Sequence, residues 1–208
     1  MFAAHSDEEK KRIPPGQYLT NRFPVLHYGP VPELDLENWK FRVWGEVEKP
    51  LVLNWDEFAA LPRTKLTMDL HCVTKWSKLN TTWEGVSLRT LKELGLVVPN
   101  EKAQFVIQHA EFGYTANLPL EVMFGENFLL ATHYEGEPIS LEHGAPLRGV
   151  CGAIPGRDDL KDVYLWKGAK WLRGLEFRAN DLPGFWERAG YHNEGDVWLE
   201  ERLRDQAR

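Results

Sequence analysis

Short runs of alternating apolar and polar residues, separated by proline and glycine, limit what this chain can fold into. Phe41 to Val47 alternates in this way, with Phe41, Val43 and Val47 on one side, and a period of two residues is typical of a half-buried strand. Residues 66–70 alternate as well. The segment 23–34 carries three prolines and a glycine, which excludes a helix and favours an extended wall. We therefore expect an α+β fold that is rich in β-structure.

The rest of the pattern predicts further strands and a few capped helices. Strands are expected over residues 103–110, 114–118, 128–134, 148–151, 163–166 and 175–178. Asn54 and Glu57 form a capping box for a short helix that ends at Ala60. Ser87 caps a second helix, which Gly95 terminates.

The domain organisation follows from length and from the first residues. Residues 1–20 are polar and end in a Pro-Pro-Gly turn, so we predict a flexible N-terminal arm there. The remaining residues, 21–208, suit one domain with a full core.

Charge and hydropathy exclude several classes of partner. The net charge of −6, from 25 Lys and Arg against 31 Asp and Glu, argues against binding of nucleic acid or acidic lipid. No apolar run approaches the ~18 residues of a membrane span. The basic residues 10–12 precede no apolar segment, so no export signal is recognised and we expect a cytoplasmic protein.

The two cysteines differ in what surrounds them. The strand over residues 66–70 delivers His71 and Cys72 to its end, where a thiolate can attack a substrate or bind a soft metal. The alternative is that Cys72 is a small buried hydrophobe, and this is the reading we favour for Cys151. Two cysteines are too few for a disulfide framework or a four-thiolate cluster.

A basic cluster stands out in an otherwise acidic chain. Four cations fall within 26 residues: Arg148, Lys167, Lys170 and Arg173. Such a cluster suits a ligand that carries phosphate, because Arg offers a bidentate fork and Lys a point charge. The alternative is that these four side chains form a solvent-exposed surface beside a tryptophan of the core.

Two other functional classes remain open on the residues alone. One is a zinc or iron hydrolase built from Cys72 and some of the seven histidines, although no pair of histidines has metal-ligand spacing. The other is a non-catalytic module that binds carbohydrate or a protein partner through an exposed tryptophan such as Trp186 or Trp198. The motifs GxSxG, GxGxxG and GxxxxGKS are absent.

Four segments, taken together and in order, resemble the sulfite oxidase family. They are FPVLHYGPVP, HCVTKWS, HGAPLR and KGAKW, within residues 22–178, and the tail 184–198 looks like that of small single-domain bacterial members. The resemblance implies a β-rich molybdopterin-binding fold and a pyranopterin that carries molybdenum, with tungsten not excluded. It also implies two-electron oxygen-atom transfer with a small oxo substrate and an external electron carrier.

The same resemblance assigns roles to individual residues. It implies that Cys72 is the protein's sulfur ligand to the metal. The residues that match cofactor contacts of the family are His27, Tyr28, His109, His143, Arg148, Gly168, Ala169 and Lys170, with Arg148 placed to bind the terminal phosphate. Near the metal, His71 and Lys75 are the ionisable side chains that we nominate for substrate orientation or proton supply.

Overall fold

The computed structural model describes residues 6–205, and within them the chain forms two β-sheets with short helices around them. The strands are β1 Tyr18–Leu19, β2 Lys40–Gly45, β3 Leu51–Asn54, β4 Thr64–His71, β5 Trp76–Val86, β6 Phe105–Ala110, β7 Thr115–Pro119, β8 Phe128–Tyr134, β9 Glu137–Pro138, β10 Arg148–Cys151 and β11 Leu172–Arg178. The helices are α1 Asp7–Lys11, α2 Trp55–Ala59, α3 Leu88–Glu93, α4 Leu120–Met123 and α5 Phe185–Arg188. The predicted α+β class is confirmed.

Each sheet mixes parallel and antiparallel pairs. The first runs β1-β5-β8-β10, with β4 beside β5 and β9 beside β8, and the second runs β3-β2-β11-β6-β7. Parallel pairing is found between β1 and β5 and between β2 and β11. The long strand β5 links the first sheet, because its first residues pair with β1 and its last with β8.

Strand β8 is buried on both faces. Phe128 and Leu130 belong to the core that includes residues of both sheets, whereas Leu129 and Ala131 belong to a second apolar cluster on the other face of the first sheet. That second cluster contains Cys72. Strand β10 pairs with β8 residue by residue, from Arg148 opposite Ala131 onward, so the position of Arg148 is set by a fully buried neighbour.

The predicted helix caps are present. The amide of Glu57 donates to Asn54 Oδ1 at 2.9 Å, and the amide of Asn54 donates to the Glu57 carboxylate at 2.8 Å. Ser87 Oγ accepts from the amide of Thr90 at 3.0 Å. Gly95 follows α3 with φ of +68°, a conformation that glycine adopts without steric cost.

One predicted strand is wrong, and one long strand was missed. Over residues 163–166 the chain makes only an isolated bridge at Val163, and then a 3-10 turn over Leu165–Lys167. The reason is that consecutive side chains here are buried, so the segment packs on all sides and does not alternate. The missed strand is β5, whose central residues LNTT are too polar to give a strand signal.

The N-terminal arm is more ordered than predicted. Residues 1–5 of the predicted arm lie outside the described part of the chain. Ser6 caps α1 through a capping box, and β1 adds to the first sheet. Arg12 reaches the buried Asp69 at 3.4 Å. Residues 6–20 therefore pack on the domain, because a buried carboxylate and a sheet edge give them partners.

Candidate functional site

A cavity of about 250 Å³ opens on the face of the first sheet that carries Cys72. Its walls come from residues 23–28, the hairpin after β4, the start of β10, residues 165–171, and α5 with the tail that follows it. Six of the residues predicted from the sequence line this cavity: His27, Tyr28, Cys72, Arg148, Gly168 and Lys170.

Cys72 begins the tight turn that connects β4 to β5. The amide of Lys75 donates to the carbonyl of Cys72 at 3.0 Å, and the amide of Cys72 donates to the carbonyl of Trp76 at 2.9 Å. Lys75 has φ of +74°, in the left-handed region that residues with a side chain rarely occupy. Thr74 Oγ1 donates to Cys72 Sγ at 3.2 Å. The turn thus presents one sulfur atom in a fixed place.

The environment of this thiol suits a ligand better than a free nucleophile. Burial raises the pKa of Cys72, while the hydrogen bond from Thr74 and the charge of Arg202 act in the opposite direction. The raised pKa favours the protonated thiol in the cofactor-free chain, and a bound metal would favour the thiolate. Cys151 is also a free thiol, but it lies in the core between the sheets, and burial raises its pKa as well.

Arg148 is the strongest sign that the cavity binds an anion. The side chain is buried, with 1% of the residue exposed, and it donates to the carbonyls of His143 at 2.9 Å and Gly149 at 3.3 Å. Among the described residues no carboxylate forms an ion pair with it. Burial lowers the pKa of Arg148 to about 10. A buried guanidinium without a counter-charge is costly, and an anionic ligand would supply that charge.

Lys170 adds a second cation to the same cavity. Its Nζ donates to the carbonyl of Glu142 at 2.6 Å. Burial, together with the charge of Arg148, lowers the pKa of Lys170 to about 7. A Cβ at Gly168 would collide with the carbonyl oxygen of Gly149, so the backbone approaches the sheet closely at this wall.

The other two predicted cations are neutralised outside the cavity. Lys167 Nζ is buried and reaches Glu187 at 2.8 Å and Asn117 at 2.8 Å. Arg173 pairs with Glu111 at 2.5 Å. Neither lines the cavity, so the basic cluster of the sequence contributes Arg148 and Lys170 only.

The two residues nominated for substrate orientation or proton supply, His71 and Lys75, do not line the cavity. His71 points into the interior, where Nδ1 lies 2.8 Å from Ser77 Oγ and Nε2 lies 3.3 Å from Asp162. Burial lowers the pKa of His71 to about 3, so its imidazole is neutral and out of reach of a substrate. The side chain of Lys75 is exposed and lies outside the cavity. Side chains alternate along β4, so His71 faces away from the surface that Cys72 reaches.

Two of the predicted cofactor contacts, His109 and Ala169, do not line the cavity either. His109 lies on β6 of the second sheet, where Nε2 is 2.9 Å from the Glu176 carboxylate. Ala169 is fully buried, its amide donates to Gln108 at 3.0 Å, and its carbonyl accepts from Gly149 at 2.9 Å. Because both backbone groups of Ala169 already have partners, it has none to offer a ligand.

His143 lies beside the cavity without lining it. Its ring stacks on Phe23, with 4.0 Å between centroids, and Phe23 does line the cavity. Burial, with the charges of Lys170 and Arg148, lowers the pKa of His143 to about 4. The ring is therefore neutral, and its buried Nδ1 has no hydrogen-bond partner among the described residues.

An aromatic wall was missed from the sequence. Tyr114, Trp166, Trp186 and Tyr191 line the cavity. The rings of Trp186 and Tyr191 stack at 5.0 Å, and Tyr114 donates to the carbonyl of Trp166 at 2.6 Å. The high tryptophan content was the available signal, but aromatic residues carry no spacing pattern that separates cavity positions from core positions.

The structure gives little support to the two alternative functions, a zinc or iron hydrolase and a non-catalytic module that binds carbohydrate or a protein partner. Within residues 6–205, no three His, Cys, Asp or Glu side chains converge as a metal ion requires, so the described chain offers no ligand set for a zinc or iron hydrolase. Trp186 belongs to the cavity, and Trp198 is exposed away from it.

None of the helices within residues 6–205 has the length and the apolar composition that a membrane span requires.

Comparison with known proteins identifies the kind of domain. Residues 28–186 match the family described as the oxidoreductase molybdopterin binding domain. The chain is 44% identical over 197 residues to the uncharacterized oxidoreductase YuiH of Bacillus subtilis, which covers 94% of each protein.

More distant relatives are longer proteins. Identity is 26% over 166 residues to the protein-methionine-sulfoxide reductase catalytic subunit MsrP of Campylobacter jejuni, covering 73% of this chain and 52% of that protein. It is 25% over 203 residues to the sulfite oxidase of Arabidopsis thaliana, covering 81% and 49%. The chain thus spans about half the length of these two relatives.

A solved structure has the same fold. The sulfane dehydrogenase SoxCD from Paracoccus pantotrophus matches with a TM-score of 0.64 and 21% identity, over 79% of this chain and 43% of that chain. At this level of identity the similarity shows the fold alone.

Proposed function

The chain belongs to the family of oxidoreductase molybdopterin-binding domains and is a molybdopterin-dependent oxidoreductase, and we propose that its cavity performs two-electron oxygen-atom transfer with a small oxo compound. The observation that carries the proposal is that one cavity is lined by a single buried thiol and by two cations without carboxylate partners among the described residues.

The residues present fit a molybdopterin. Its phosphate would supply a negative counter-charge to Arg148 and Lys170, which form no ion pair with a carboxylate among the described residues. Trp76 lines the cavity, and its buried Nε1 has no hydrogen-bond partner among the described residues. A polar heterocycle would offer an acceptor to this N–H, and leaving a buried donor without a partner costs about 1–3 kcal/mol.

We assign Cys72 as the protein's ligand to the metal. When bound, the cofactor supplies a molybdenum centre that cycles by two electrons and exchanges an oxygen atom with the substrate. A thiolate is a soft, electron-rich donor suited to such a metal. The hydrogen bonds of the hairpin hold Cys72, so its sulfur has a fixed place in the cavity wall.

The organic part of the cofactor is held by the other end of the cavity. The guanidinium of Arg148 can donate two parallel hydrogen bonds to phosphate oxygens, and the ammonium of Lys170 adds a positive charge beside it. Gly168 lines the cavity, and its lack of a Cβ lets this wall pack closely against the carbonyl of Gly149. His27 and Tyr28, from the proline-rich segment, cover the outer side, where Tyr28 packs 4.3 Å from Phe185.

Tyr191 is our candidate for proton supply in place of His71 and Lys75. It lines the cavity, and partial burial together with the charge of Cys72 raises its pKa. The phenol therefore stays protonated at neutral pH and can donate a hydrogen bond to a substrate oxygen near the sulfur.

We expect Tyr191→Phe to lower turnover by about 10²-fold, the usual range for loss of a proton donor, with molybdenum and pterin contents unchanged. Steady-state kinetics and cofactor analysis of the same preparation measure both. Tyr164→Phe is the control, because its hydroxyl is buried outside the cavity without a partner among the described residues. Turnover of Tyr191→Phe at the rate of this control would remove Tyr191 from the mechanism.

Retention of the cofactor should depend on pH through Lys170. In the cofactor-free chain this ammonium loses its proton near pH 7, yet a phosphate binds it in the charged form. Affinity for the pterin should therefore fall as pH rises above about 7, by up to about tenfold per pH unit. Pterin retained after dialysis at pH 6.5 and at pH 9 tests this, and Lys170→Met should show no such dependence. Equal retention by the wild-type protein at both pH values would contradict the assignment.

The same ionisation affects stability with a defined sign. The pKa of Lys170 is lower in the folded chain than its ordinary value, so above pH 7 the unfolded chain binds more protons. The contribution of Lys170 to the stability of the cofactor-free protein therefore rises as pH increases from about 7 toward the ordinary lysine range.

The substrate can be identified by assaying a panel of oxo compounds. The relatives named above act on methionine sulfoxide in proteins and on sulfite, and we propose a small oxo compound of sulfur or nitrogen here. An external carrier would supply or remove the electrons, and the cytoplasm is the compartment that we predict.

The test is to purify the protein from a host that makes the cofactor, and to measure molybdenum, tungsten and pterin per chain. Sulfoxides, N-oxides and nitrate are then assayed with a reduced viologen dye, and sulfite with ferricyanide. Near-equimolar metal and pterin with turnover of at least one compound supports the proposal. Folded protein without metal and pterin would overturn it.

A further inference from the structure

Arg202 lies outside the residues that match the family and yet contacts the hairpin that carries Cys72. Its Nη1 donates to the carbonyl of Val73 at 3.0 Å, and its Nη2 donates to the carbonyl of Pro15 at 3.3 Å. The residue is 5% exposed. Its guanidinium lies 4.9 Å from the ring centre of Tyr164 and 3.7 Å from the Glu200 carboxylate. One side chain from the tail thus ties together the hairpin and the N-terminal segment.

The backbone of Arg202 makes a second connection, to the opposite wall of the cavity. Its carbonyl accepts from the amide of His192 at 3.2 Å, and the next residue, Leu203, pairs with Tyr191 in an isolated antiparallel bridge. The short segment that carries Tyr191 is therefore held by the residue whose side chain holds Val73. Cys72 precedes Val73, and Tyr191 precedes His192, so each of the two functional residues is the chain neighbour of a residue whose backbone Arg202 binds.

The N-terminal segment supports the hairpin from the other side. Gln17 Nε2 donates to the carbonyl of Cys72 at 3.1 Å. A Cβ at Gly16 would collide with the Glu200 carboxylate, which shows how closely this segment packs on the tail. The carbonyls of Cys72 and Val73 are thus both held by residues that lie outside the matched range 28–186.

We propose that Arg202 is a positioning residue that fixes the place of Cys72 relative to Tyr191, and with it the place of the sulfur that would bind the metal. The proposal rests on the assignment of Cys72 as the metal ligand. A guanidinium suits this task because its planar fork binds two carbonyls at once, whereas an ammonium acts as a single point charge.

The test compares three variants of the cofactor-loaded protein. Arg202→Met removes both side-chain bonds, and Arg202→Lys keeps the charge and loses the fork. Arg204→Met is the matched control, because Arg204 anchors the same tail to the carbonyl of Glu187 at 2.5 Å and does not contact the hairpin. For each variant, molybdenum, pterin, thermal unfolding and the visible absorption of the sulfur-to-metal charge transfer are measured.

We expect Arg202→Met to lose at least half of the charge-transfer absorption or to shift its maximum, while pterin content stays within twofold of wild type because Arg148 and Lys170 are untouched. Arg202→Lys should be intermediate, and Arg204→Met should match the wild-type spectrum even where its unfolding temperature falls.

Two results would overturn the proposal. One is an unchanged spectrum in Arg202→Met, or in Arg202→Lys if the first variant does not fold. The other is an equal spectral loss in Arg204→Met, because the effect would then be a general loosening of the tail. Absence of metal and pterin from the wild-type protein is a different failure, since it removes the proposed function itself.

Discussion

Replacing Cys72 with serine should reduce turnover by about 10³-fold or more, the scale seen when a residue that acts as part of a catalytic unit is lost. A serine oxygen is a hard donor and a poor match for a metal that the thiolate binds as a soft ligand. The pterin should largely remain, because the contacts of its phosphate with Arg148 and Lys170 do not involve this position. Turnover, molybdenum and pterin are measured in one preparation.

The second thiol provides the matched control. Cys151→Ser places the same substitution in the core between the sheets, away from the cavity. We expect it to lower the unfolding temperature, because a hydroxyl replaces a buried apolar group, and to leave turnover per bound cofactor unchanged. Wild-type turnover in Cys72→Ser would exclude a role for that sulfur.

Replacing Arg148 with methionine should empty the cavity of cofactor and leave the fold intact. Loss of a charge-assisted contact costs about 1.5–3 kcal/mol, which is roughly one to two factors of ten in affinity. The pterin per chain should fall accordingly, whereas the cofactor-free variant should unfold at nearly the same temperature as the cofactor-free wild type. Methionine removes a buried charge that has no carboxylate partner among the described residues, which favours stability, and it also removes the hydrogen bonds to the carbonyls of His143 and Gly149, which opposes it.

Arg173→Met is the control for this prediction. Arg173 belongs to the same basic stretch of sequence but pairs with Glu111 outside the cavity. Its loss should leave pterin content unchanged. Full pterin occupancy in Arg148→Met would show that the phosphate binds elsewhere.

The elements of the fold that depend on residues close in sequence could be predicted from the sequence. The capping box of α2, the Ser87 cap of α3 and the strands β2, β6 and β7 follow from residues close in sequence, and these predictions are confirmed. Strand β5 was missed because its central residues LNTT have no strand pattern of their own, and Thr81 and Thr82 are held there by pairing with β4. Residues 163–166 were assigned wrongly because Val163, Tyr164 and Trp166 are all buried, so burial does not alternate as it does in a half-buried strand.

Only part of the candidate site could be predicted from the sequence. Cys72, Arg148 and Lys170 could be named because their residue types are unusual where they stand, and all three line the cavity. The side-chain direction of His71 depends on a single step along β4, and the amide of Ala169 donates to a partner 61 residues away, Gln108. Tyr191 lies within the tail segment 184–198 and Arg202 lies beyond it, and neither position carries a chemical motif of its own, so only the tertiary structure brings them to Cys72.

The most direct test of the central claim is molybdenum K-edge X-ray absorption of the wild-type protein and of Cys72→Ser. The account predicts that the wild-type spectrum contains one more sulfur neighbour of the metal than the variant, at equal pterin content. The same number of sulfur neighbours in both proteins would contradict the assignment of Cys72 as the ligand.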